Sequence, residues 1–156
     1  MKRGKLLLLT WVLLLSACGG PAEEVATAPP ELIVVCGEEE ATAWQGGSQW
    51  RWPDGDAMCS AIADAPHPLD VMDDLPVISA KAGDELVLAF GGVPDKTTVI
   101  YYRVEGKELT VFPVGELSSG SRLTLPENCG NTLWIVRGKW ETGESTGQAE
   151  YAFRIS

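Results

Sequence analysis

Apolar residues alternate with polar ones along most of the chain from Leu75 onward, and that period-two pattern predicts half-buried strands. Leu86, Leu88 and Phe90 fall on one face of an extended segment, and Ala149, Tyr151, Phe153 and Ile155 share a face in another. Between them, Val99 to Val104 is β-branched and aromatic, Leu109 to Val114 follows a short hairpin loop at Glu105-Gly106-Lys107, and Leu123 and Leu125 face one way. Thr132 to Trp140 is a long apolar run after the Pro126–Gly130 corner. With Pro76 to Ala80 as an edge strand, because proline tolerates only such a place, the segment holds seven short strands at even spacing. That spacing predicts an antiparallel sandwich.

The first half of the chain is less regular. Leu32 to Cys36 reads as a strand, and Ala41 to Trp44 as a second short one after Gly37 and the Glu38-Glu39-Glu40 cluster. Gly46-Gly47 is expected to turn the chain into Ser48–Trp52, where Trp50 and Trp52 share a face about 6.6 Å apart. Asp54-Gly55 signals a turn, and Asp56 is placed to cap one helical turn through Ile62. Pro66 and Pro68 forbid a long helix around His67. The layout is therefore all-β: a β-hairpin and irregular segment over 32–74, then an antiparallel sandwich over 75–156.

The amino terminus has a different pattern. Lys2, Arg3 and Lys5 precede an apolar run from Leu6 to Leu15, which is too short to span about 30 Å of hydrocarbon. Leu15-Ser16-Ala17-Cys18 follows, and the whole resembles the signal peptide and lipobox of bacterial lipoproteins. The resemblance implies cleavage after residue 17, a diacylglyceryl group on Cys18 and a small, acidic, proline-bearing tether over 18–31. Two acyl chains on one residue anchor stably where one does not. The expected location is outside the cytoplasm, on the cell membrane or outer membrane, with the lipid on Cys18 as the membrane contact.

Charge narrows the partners. Cleavage would remove three of the 12 basic residues and none of the 22 acidic ones, leaving a net charge near −13. Such a surface repels phosphate backbones and anionic headgroups, so nucleic acid is not an expected partner. With Cys18 assigned to lipid, Cys36, Cys59 and Cys129 remain, and an odd set in an exported chain suggests one disulfide and one free thiol. Cys36–Cys59 is the first expectation, since both lie before the main run of strands, and Cys59–Cys129 the second.

The segment from Pro76 also resembles bacterial immunoglobulin-like modules. The resemblance rests on the Gly83-Asp84 turn before alternating leucines, the Leu125-Pro126…Gly130 corner, and Trp134-Ile-Val…Trp140 against Tyr151-Ala-Phe153. The Leu86–Phe90 and Thr132–Arg137 strands lack the cysteines of antibody domains, and Val99–Val104 lacks the tryptophan. The layout is similar to that of small cell-envelope lipoproteins of uncharacterised function.

Candidate chemistry is sparse. His67 is the only histidine, and a hydrolase would need it beside Ser60 or Cys59 with Asp64 or Asp70 behind it, yet no nucleophile elbow accompanies them. The scattered carboxylates do not follow a calcium-loop spacing, and the cysteines with His67 lack paired zinc-ligand spacing. No catalytic residue, metal or cofactor is therefore expected. Trp44, Trp50 and Trp52 are the candidate binding residues, as a platform for a glycan or an envelope protein, with burial in the core as the competing reading. The expectation is a binding or interaction module. An accessory structural subunit of an envelope complex is the alternative, and a small hydrolase using the His67 loop comes after it.

Overall fold

The computed structural model describes residues 25–105, 108–117 and 122–156. The expected signal peptide (1–17) and lipidation site Cys18 lie outside the described residues. In chain order the strands are β1 (Leu32–Cys36), β2 (Glu39–Thr42), β3 (Trp44–Asp54), β4 (Ala57–Ala63), β5 (Val77–Ile78) and β6 (Glu85–Phe90). They continue as β7 (Lys96–Glu105), β8 (Glu108–Leu117), β9 (Arg122–Thr124), β10 (Thr132–Trp140) and β11 (Thr146–Ile155). They form two sheets, β2-β1-β6-β9 and β4-β3-β11-β10-β7-β8, which pack as an antiparallel sandwich. The segment read as leading into the sandwich thus supplies four of its strands, two to each sheet. Short β5 lies parallel to the end of β11, with Val77 opposite Arg154.

Alternation explains the packing. Leu32 and Val34 of β1 and Leu86 and Leu88 of β6 point inward from the first sheet. Val99, Trp134, Val136, Tyr151, Phe153 and Ile155 meet them from the second. Tyr101 stacks on Trp134 with centroids 4.7 Å apart, and Trp134 on Phe153 at 6.2 Å. Each large side chain removed from water contributes about 1.5–3 kcal/mol, and this aromatic row lines the inner face of the second sheet.

Strand β10 is buried on both faces from Thr132 to Val136, which is why its sequence runs apolar rather than alternating. Its outer face carries Leu133 and Ile135, and Leu75 covers them together with the half-buried Leu69, Val71 and Met72. The irregular stretch around His67 is therefore a strap whose far end is stapled over the second sheet.

Two local expectations change. Gly46-Gly47 is not a turn: β3 runs through it as one strand, and between Gln45 and Ser48 three steps on β3 oppose two on β11, from Tyr151 to Ala149. That is a β-bulge, and it reverses which face later residues present. Asp56 does not cap a helical turn. Residues Ala57–Ala63 instead form β4, returned along β3 by a two-residue turn at Gly55-Asp56, where Gly55 takes φ +60°. A left-handed glycine after aspartate suits such a hairpin turn, and strand pairing overrides the weak helical preference of Ala, Met and Ser.

The described part of the expected tether is fixed to the sandwich. The Ala26 carbonyl accepts hydrogen bonds from the Trp50 indole N–H (2.9 Å) and the Ser145 hydroxyl (2.7 Å). The Pro30 carbonyl accepts one from the Tyr151 hydroxyl at 2.5 Å. Burial pushes the Tyr151 phenol far above its ordinary range, so it stays a neutral donor.

Candidate functional site

The bulge in β3 separates the three tryptophans expected to form one surface. Trp50 points inward, is 3 % exposed and meets Trp140 edge-on with centroids 5.4 Å apart. It is a core residue, in keeping with the competing reading that these indoles cover the core. Trp52 shares that face and is half-buried against the same core. Trp44, before the bulge, lies on the opposite face and packs with the strap.

The cysteines follow the same logic. Cys36, Cys59 and Cys129 are all free, and the expected Cys36–Cys59 disulfide is absent. Cys36 sits at an inward position of β1 in the first sheet, whereas Cys59 lies on β4 at the edge of the second, opposite Trp52. Burial raises the Cys36 and Cys129 thiols above the ordinary range, with nearby Asp84 adding to both.

His67 lines an open groove of about 580 Å³ on the outer face of the second sheet, with Ser48, Gln49, Arg137, Gln148 and Glu150. Its Nδ1 accepts the Leu69 backbone N–H at 3.2 Å, which leaves the proton of a neutral ring on Nε2. Neither Ser60 nor Cys59 lines the groove. Arg137 and Lys139 are engaged by Glu150 (2.9 Å) and Glu141 (2.7 Å). The groove is polar, and the two nucleophiles expected beside the histidine lie outside it. Among the described residues no group of three or more His, Cys, Asp or Glu side chains is placed to hold a metal ion.

The feature that stands out is β4. It ends the second sheet, pairing with β3 on one side and with no described strand on the other. Its sequence, Ala57-Met-Cys-Ser-Ala-Ile-Ala63, carries neither charge nor proline. Met58 is 63 % exposed and Ile62 71 %, and of the seven residues only Cys59 is half-buried. Pairing with β3 places Met58, Ser60 and Ile62 opposite Pro53, Arg51 and Gln49, hence on the outer face, and leaves small side chains on the other. An open strand edge with exposed apolar side chains is a template for another strand. Sequence reading missed this site because Asp56 looked like a helix cap. The signal was present in the turn residues Asp54-Gly55 and in the seven uncharged residues after Asp56.

No protein-family model, curated protein or solved structure matches the chain.

Proposed function

We propose that this chain is a membrane-anchored, extracytoplasmic interaction module that binds its partner by taking an extended strand along β4. The anchor follows from the resemblance of residues 1–18 to a lipoprotein signal, with Cys18 carrying the lipid. The observation that carries the binding reading is the contrast in composition at the edge. In a chain of net charge −10, the exposed terminal strand of the larger sheet has no charged residue. Strand addition draws affinity from main-chain hydrogen bonds and specificity from alternate side chains. Here Met58 and Ile62 would supply the specificity, with a partner envelope protein presenting an uncharged strand.

A photo-crosslinking residue placed at Met58 or Ile62 in the full-length protein tests this in cells. Adducts are expected from both positions and not from Val111, a solvent-facing residue on β8. Absence of adducts at β4, or equal yields at Val111, would remove the basis for the reading.

A further inference from the structure

We infer that the strand seated on β4 is the β4 of a second copy, paired antiparallel about a twofold axis through Ser60. This names the partner of the edge proposed above and rests on that reading. The argument comes from the residues themselves. In a twofold pairing centred on Ser60, Ala57 stands opposite Ala63 of the second copy, Met58 opposite Ile62, Cys59 opposite Ala61, and Ser60 opposite Ser60. Large meets large and small meets small at every step, although no such symmetry is required of an edge strand.

The faces agree as well. Met58, Ser60 and Ile62 lie on the outer face, so each Met58–Ile62 pair forms on that side, flanking a serine pair able to exchange a hydrogen bond. The opposite face brings together only alanines and Cys59, which leaves no bulky group in the path of the approaching strand. A twofold axis normal to the sheet keeps each residue on its own face, so it permits only registers shifted by two. Such a shift sets Met58 or Ile62 against Ser60, and only the Ser60-centred register uses all seven residues. One feature opposes the pairing. Asp56 of each copy comes opposite Asp64 of the other, and raising the ionic strength should therefore strengthen association.

Crosslinking tests the register directly. In the full-length protein carrying Cys59→Ala, Ser60→Cys places two thiols on directly opposed positions, about 4.5–5.5 Å apart between Cα atoms. That is close enough for a disulfide. Ala57→Cys in the same background places its thiols roughly 20 Å apart, six residues along the strand. Copper–phenanthroline oxidation of isolated membranes should convert Ser60→Cys largely to a species of twice the chain mass and leave Ala57→Cys monomeric. Adding Ile62→Lys should abolish the crosslink without lowering the melting temperature. A monomeric Ser60→Cys, or equal crosslinking at both positions, overturns self-pairing. The photo-crosslinking above separates the two failures. Adducts from β4 to a different polypeptide would retire the second copy while keeping the edge, and no adducts would retire both.

Discussion

The larger sheet ends in two strands that face the same problem and meet it differently. Strand β8 closes one side with Pro113 and with an extra residue where Val99 and Ile100 oppose Gly115 and Pro113. Proline withholds a donor and the bulge twists the edge away. Strand β4 closes the other side with none of these. The smaller sheet protects itself too, since β2 has four residues and two glutamates, and β9 has three residues and an arginine. Three edges are blunted and one is open. The sequence evidently supplies the protective devices, so their absence from β4 is informative in a way that a single exposed strand would not be.

The largest test of this contrast concerns how each edge is held. Strand β4 touches the sandwich through β3, and Trp50 roots β3 in the core. Trp50→Ala should cost about 3–5 kcal/mol in chemical denaturation. Phe112→Ala, which removes a half-buried ring of β8 stacked on Tyr101 at 4.8 Å, should cost about 1–2 kcal/mol. Equal losses would mean that the two edges are anchored alike.

Exchanging the protection comes next. Pro113→Val restores a donor to β8, and the variant should self-associate in sedimentation runs while its stability moves by less than about 1 kcal/mol. If it stays as dispersed as the parent, proline is not what guards that edge. Smaller still is the expected effect of Met58→Lys and Ile62→Lys on folding, within about 0.5 kcal/mol, because both side chains face solvent. A large drop in melting temperature for either would show that β4 is structural rather than an interface.

The smallest effect belongs to a site away from both edges. The Asp95 carboxylate accepts the Glu141 and Thr142 backbone N–H groups (2.6 and 3.0 Å) and the Thr142 hydroxyl (2.7 Å). The Glu141 N–H, then the Thr142 groups, hold its pKa below the ordinary carboxylate value. Its contribution is therefore present above the unfolded value near 4 and is lost as pH falls through the lower folded one. Asp95→Asn should flatten the acid limb of the stability profile slightly and leave crosslinking at β4 unchanged.

Much of this architecture was legible from periodicity. Ala149, Tyr151, Phe153 and Ile155 do share a buried face, as do Leu86 and Leu88, because alternation reports directly which side meets the core. The shared face of Trp50 and Trp52 was legible, but the opposite face of Trp44 was not, since a bulge changes the phase of alternation and Gly46-Gly47 signals a bulge and a turn equally well. The open edge was hidden by propensity: Ala, Met and Ser after an aspartate suit a first helical turn until β3 offers a partner. The fixing of the leader left no trace at all, because its acceptors are the backbone carbonyls of Ala26 and Pro30, a group that every residue possesses.

That fixing shortens the leash. If lipid sits on Cys18, only the eight residues up to Ala26 separate the bilayer from a point bonded to Trp50 and Ser145, a reach of at most roughly 28 Å. A body held so close searches a surface rather than a volume. The local concentration of one copy around another then depends on crowding in the membrane plane, and a strand contact too small to hold two free molecules together gains the advantage of a shared attachment. Lengthening residues 19–24 with a flexible insert would dilute that advantage without touching a single contact in the sandwich.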